Sequence, residues 1–112
     1  MVIVVEKRER VTVVSIGGSV DGTTARELVS SLREQVTGGS SWLVGDLAGV
    51  DYTSSAGLRA LLETVKETRL HGGDLRLAAV RPEVLRVLEL SGFTGILQVF
   101  PDVDAACASF VG

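Results

Sequence analysis

Few side chains in this sequence could carry covalent chemistry. The most suggestive are two adjacent serines, Ser54 and Ser55, standing directly before Ala56-Gly57-Leu58 and an amphipathic run. A serine at a helix entrance can accept backbone N–H bonds, and it can also receive a phosphoryl group whose charge the helix dipole tolerates. The other candidates are weaker. His71 is the only histidine and stands beside Gly72-Gly73, where an imidazole suits a helix C-terminus. No Gly-x-Ser-x-Gly is present to build a Ser-His-Asp site around it. Cys107, the only cysteine, falls on an apolar stripe and reads as core rather than as a reactive thiolate. Asp21, Asp46 and Asp51 lie near expected strand ends, but a phospho-accepting aspartate with a magnesium site needs a converging lysine, and the only lysines are Lys7 and Lys66. The glycines of Ile16-Gly-Gly-Ser-Val-Asp-Gly22 lack both the dinucleotide spacing and the Gly-Lys-Ser/Thr of a P-loop, so they read as a turn. No catalytic residue, metal site or cofactor is expected.

The elements that must position the serines can be read from hydrophobic period. Val2 to Val5 and Val11 to Ile16 are β-branched runs separated by polar residues, the pattern of a hairpin. Ala25, Leu28, Val29, Leu32 and Val36 place a helix over Thr24 to Val36, with Thr23 or Thr24 available as its cap. Trp42 to Leu47 reads as a strand covered on both faces. A helix from Ser55 or Ala56 to Leu70 follows, with Leu58, Leu61, Leu62 and Val65 on one face, and His71-Gly-Gly73 stops it. Leu75 to Val80 is a strand, Pro82 opens a helix that stops at Ser91-Gly92, and Ile96 to Phe100 is a last strand. Pro101 to Phe110 closes the chain as a helix with Val103, Ala106, Cys107 and Phe110 in one stripe. The alternation predicts one α/β domain over residues 1–112, a mixed, largely parallel sheet of about five strands with about four helices packed on it. The segment from Leu47 to Ser55 is expected to be a loop at the carboxyl end of a strand, where such folds collect their ligands.

Composition narrows the function further. Apolar residues make up 46% and charged ones 22%, as in globular domains rather than disordered chains. The net charge of −3 comes from 14 acidic and 11 basic residues interspersed along the chain, so no basic stripe is available for nucleic acid. No apolar run approaches the ~18 residues of a membrane span, and the opening residues lack a secretory pattern. With one cysteine and no disulfide framework, a cytoplasmic setting is expected.

The segment Val50-Asp-Tyr-Thr-Ser-Ser-Ala-Gly-Leu-Arg-Ala-Leu-Leu62 resembles the signature loop and helix of STAS domains, in which a Ser or Thr followed by Gly-Leu opens a helix. Gly17-Gly-Ser-Val-Asp-Gly-Thr-Thr-Ala25 is similar to the family's turn from strand to first helix. Gly72-Gly-Asp-Leu-Arg-Leu77 and Val84-Leu-Arg-Val-Leu-Glu-Leu-Ser-Gly-Phe93 extend the resemblance over nearly the whole chain. It implies an anti-sigma factor antagonist and not an enzyme. In that family type the unphosphorylated form binds a serine kinase that acts as anti-sigma factor, phosphorylation of the loop residue ends the binding, and a PP2C-type phosphatase restores it. By position the acceptor is Ser55, although many members carry Asp-Ser-Ser/Thr-Gly where this chain has Ser54-Ser55-Ala56-Gly57. The partner-binding residues implied are Asp21, Gly22 and Thr23 together with Ser54, Ala56, Gly57, Leu58 and Arg59. A second reading within the same fold is an adaptor on the ATPase of a lipid transporter. A nucleotide-binding enzyme is disfavoured by the missing phosphate motifs.

Overall fold

The computed structural model describes residues 1–111. The chain runs β1 (Val2–Arg8), β2 (Val11–Val20), α1 (Thr24–Thr37), β3 (Trp42–Thr53), α2 (Ser55–Leu70), β4 (Asp74–Ala78), α3 (Pro82–Leu90), β5 (Val99–Phe100) and α4 (Val103–Val111), with a 3₁₀ turn at Phe93–Gly95. The five strands lie side by side in chain order. β1 pairs antiparallel with β2, and every later pair is parallel. A right-handed crossover between strands that advance in one direction always lands on the same face. Accordingly α1, α2 and α3 bury Leu28, Leu32, Leu61, Val65, Val84 and Leu88 against one side of the sheet. α4 folds back on the other side, where Ala106 packs among Val11, Val13, Val44 and Ala78. The fold is a single α/β domain with a mixed five-stranded sheet and four helices, as the sequence predicts.

All five strands differ in their bounds from the expectation; β1 runs to Arg8 rather than ending at Val5. The stretch from Leu47 to Ser55 is not a loop, because β3 continues to Thr53. The register between β2 and β3 shifts twice, between Ser15 and Gly17 and again between Gly17 and Ser19. Each bulge adds one residue to β3, so Leu47, Val50 and Thr53 are the ones buried against the helices. Burial at every third residue hides a strand from a reading based on alternation. Gly49 permits the arrangement, since a Cβ there would stand 3.1 Å from both the Gly17 Cα and the Ile16 carbonyl oxygen. β2 likewise runs through Gly17-Gly18 to Val20. At the other edge, the strand expected over Ile96 to Phe100 shrinks to Val99–Phe100. Ile96 instead closes the 3₁₀ turn, its N–H donating to the Phe93 carbonyl at 3.0 Å. β4 ends at Ala78 because Ala79 adopts a left-handed φ of 55°.

Candidate functional site

The carboxyl ends of β2 and β3 deliver the two segments singled out in the sequence to one place. The Ser54 N–H donates to the Val20 carbonyl at 2.8 Å and ties the strand ends together. Beyond that tie, Asp21 to Thr23 lead into α1, while Ser54 leads directly into α2.

Ser54 and Ser55 have different structural duties. Ser54 has extended backbone and is the N-cap of α2, its hydroxyl accepting from the Gly57 N–H at 3.3 Å. Ser55 is the first helical residue and is exposed. Among the described residues its hydroxyl has no side-chain hydrogen bond. One serine therefore closes the helix, and its neighbour presents a free nucleophilic oxygen at the helix's positive end.

The other residues of the segment divide by burial. Ala56 is half-buried and Arg59 is exposed, whereas Gly57 and Leu58 lie beneath the surface. Gly57 lets α2 approach the strands: a Cβ there would overlap the Thr53 Oγ1 and stand 2.7 Å from Val20 Cγ1. Leu58, only 7% exposed, anchors the first turn in the core. These two residues fix where Ser55 and Arg59 stand.

α1 begins differently from the expectation. Thr23 occupies the N-cap position but makes no side-chain capping bond. The Asp21 carboxylate does that work, its Oδ1 accepting from the N–H groups of Thr23 at 2.9 Å and Thr24 at 3.0 Å. The Thr24 hydroxyl accepts from the Asp21 N–H at 2.9 Å and donates to the Ser19 carbonyl at 3.0 Å, locking the turn. The backbone N–H groups of Thr24 and Thr23, followed by the Thr24 hydroxyl, hold the Asp21 carboxyl below its ordinary value. Asp21, Gly22 and Thr23 are all exposed.

Between α1 and α2 lies an open hollow of about 550 Å³, lined by Gly22, Arg26 and Arg33 on one side and Ala56, Arg59 and Glu63 on the other. Gly22, Ala56 and Arg59 were expected from the sequence. Arg26 and Arg33 were not, although their spacing of two helical turns would put them on one face of α1. None of the three arginines is in an ion pair among the described residues. A third loop joins this edge at Arg81, whose Nε donates to the Ala48 carbonyl at 2.8 Å and braces α3 against β3.

The remaining reactive groups lie elsewhere. Asp46 accepts from the Ser15 hydroxyl and the Ala48 N–H, and Asp51 accepts from the Ser19 hydroxyl. Among the described residues no three His, Cys, Asp or Glu side chains come together as a metal site. His71 closes α2, its Nδ1 lying 2.9 Å from the Glu67 carbonyl. Cys107 packs half-buried against the second core cluster, and burial pushes its thiol upward, away from thiolate reactivity. No described helix is long and apolar enough to cross a membrane.

Comparison with known proteins agrees with this architecture. The STAS domain family profile matches residues 2–106. A candidate anti-sigma factor antagonist, BtrV of Bordetella bronchiseptica, is 36% identical over 98% of this chain and 95% of its own length. A candidate anti-anti-sigma factor of Mycobacterium tuberculosis is 33% identical over 80% of this chain; the match spans 62% of that longer relative. The crystal structure of an anti-sigma factor antagonist from Mycobacterium paratuberculosis is 27% identical, with a TM-score of 0.84 over 96% of this chain and 92% of its own. The Bacillus cell fate determinant SpoIIAA, solved in its phosphorylated form, shares the fold with a TM-score of 0.76 over 97% of this chain and 99% of its own at 16% identity. The strand order, the strand-to-helix junction at Ser54-Ser55 and the sequence matches lead to one conclusion: this chain belongs to the STAS domain family.

Proposed function

We propose that this chain is an anti-sigma factor antagonist whose unphosphorylated form binds a kinase-type anti-sigma factor in the cytoplasm, and that phosphate on Ser55 ends the binding. The observation that carries the reading is the division of labour between the two serines. Ser54 is spent on the cap, while Ser55 is exposed and free beside the hollow between α1 and α2. Relatives named as antagonists support the regulatory class rather than an enzyme. Asp21, Gly22, Thr23, Ser54, Ala56 and Arg59 form the contact surface, with Gly57 and Leu58 as its support.

The switch is electrostatic. A phosphate adds about −1.5 to −2 charges, and the N-terminus of α2 accommodates them. Arg59 stands four residues after Ser55 on α2, the spacing at which an acidic group and a basic one pair on a helix surface. The phosphate therefore draws Arg59 out of the hollow and confronts any acidic group of the partner. At ~5 Å and an effective dielectric near 20, that repulsion is on the order of several kcal/mol before screening. The domain itself has no reason to unfold. A PP2C-type phosphatase would reverse the event.

Affinity purification followed by phosphosite mapping tests the reading. The partner recovered should be a kinase-like anti-sigma factor that places one phosphate on Ser55, and Ser55→Ala should abolish it. The Ser55→Asp variant should bind at least about tenfold more weakly while melting within a few degrees of the parent. Phosphate on Ser54 with Ser55 unmodified would sink the assignment, and recovery of a transporter ATPase instead would favour the adaptor reading.

A further inference from the structure

β1 is an edge strand of seven residues with a neighbour on one side only. Its two halves differ. Glu6, Lys7 and Arg8 carry the charges that usually keep an edge from pairing. Val2 to Val5 carry no such protection: no proline, no charge and no register shift against β2. Val2 is 65% exposed, Val4 56% and Val5 43%. Val2 and Val4 lie opposite Gly17 and Ser15 on the face that α4 covers only toward the other end, and neither packs in a core cluster. The opposite edge strand, β5, is just two residues long.

We infer that two copies of this chain pair antiparallel through β1, in the register centred on Ile3, so that their sheets join into one. Closed two-fold association requires a surface that complements itself. A two-fold axis normal to the sheet carries each face onto itself, so residues whose side chains share a face must meet. Centred on Ile3, this sets Ile3 against Ile3, Val2 against Val4 and Met1 against Val5 of the second copy. Every pair is apolar, and Glu6, Lys7 and Arg8 stay outside the paired segment. Centred on Val4, the axis would set Val2 against Glu6 and Met1 against Lys7. Centred on Val5, it would set Val2 against Arg8, Ile3 against Lys7 and Val4 against Glu6. Charge thus selects one register and disfavours its neighbours. The pairing covers the exposed valines, satisfies the free main chain of β1 and points the two Ser55 edges in opposite directions along the strands.

Sedimentation equilibrium of the chain alone should show a concentration-dependent dimer. Val4→Lys, on an exposed side chain, should raise the dimer dissociation constant at least about tenfold, with a melting temperature equal to the parent's at concentrations where both are monomeric. Register is read by cysteines in a Cys107→Ala background. Ile3→Cys should oxidise to a disulfide-linked dimer, because directly opposed antiparallel residues stand about 4.5 to 5.5 Å apart at Cα. Val5→Cys alone should not, since it faces Met1. A parent that sediments as a monomer at every concentration, a dimer untouched by Val4→Lys, or cross-linking through residue 5 in place of residue 3 would overturn the inference.

Discussion

The two ends of the parallel strands are built on opposite principles. At the amino end of β4 the Asp74 side chain is 10% exposed and its carboxylate is fully engaged. Arg69 Nε lies 3.0 Å from one oxygen and Arg76 Nε 3.1 Å from the other, and the Leu75 N–H adds a third donor. The arginines are held in turn, Arg69 by the Ile96 carbonyl at 2.8 Å and Arg76 by the Ser109 hydroxyl at 2.8 Å. Above Arg76 the Phe110 ring lies 4.1 Å away and stacks on Trp42. Around the hollow at the carboxyl end the side chains make local bonds or none: Asp21 caps its own turn, Ser55 is free, and Arg26, Arg33 and Arg59 are unpaired among the described residues. Charges satisfied internally cannot be offered to a partner, and charges left open contribute little to folding.

The sharpest way to break this contrast is at the amino end. Asp74→Ala removes the acceptor shared by two arginines and should destabilise the domain by about 3 kcal/mol, read by denaturant unfolding, while the binding of whatever remains folded is unchanged. A loss below about 1 kcal/mol would mean that this network is no stronger than a surface ion pair.

Gly57→Ala comes next, because it attacks the carboxyl end through the backbone. Alanine favours a helix, yet its Cβ would overlap the Thr53 hydroxyl and press on Val20. The net loss should be about 1 to 3 kcal/mol, accompanied by weaker partner binding as the start of α2 shifts. Binding that survives a clear drop in melting temperature would show that the position of Ser55 is not set by this contact.

A smaller effect separates the two serines. Ser54→Ala loses the cap and should cost about 1 kcal/mol, whereas Ser55→Ala should change stability by less than about 0.5 kcal/mol. Equal losses would erase the division of labour on which the proposed switch rests.

The smallest effect concerns Asp21. Its folded-state carboxyl titrates below the ordinary value of 3.8, so its contribution is fully present above that value and is lost as pH falls through the folded-state value. Melting curves of the parent and Asp21→Asn should therefore differ by a constant amount at neutral pH and converge below pH 3.8. Convergence already at neutral pH would place the capping of α1 elsewhere.

Some of this was legible in the chain and some was not. α1 and α2 follow from apolar residues at helical spacing and from the glycines that end them, because both signals are local. The extension of β3 was hidden, since two bulges bury Leu47, Val50 and Thr53 and break the alternation by which strands are read. Capping by Asp21 was missed in favour of Thr23 and Thr24, because which side chain reaches the free N–H groups depends on how β2 enters the turn. Arg26 and Arg33 gave a helical spacing but no hint that α2 would stand beside them.

The residues alone give the order of elements, a largely parallel sheet with crossover helices packed on it, and a hydroxyl pair before Ala56-Gly57-Leu58 at a helix entrance. Those properties depend on residue type at short range and on the handedness that chirality imposes on every crossover. Packing settles that Ser54 is consumed by the cap while Ser55 is left free, that three arginines share one hollow on that side, that the strands stack in chain order with three helices on one face, and that the valines of β1 are exposed. Each of those outcomes depends on the distance between segments remote in the chain, and such distances are set by packing of the whole core rather than by any window of neighbouring residues.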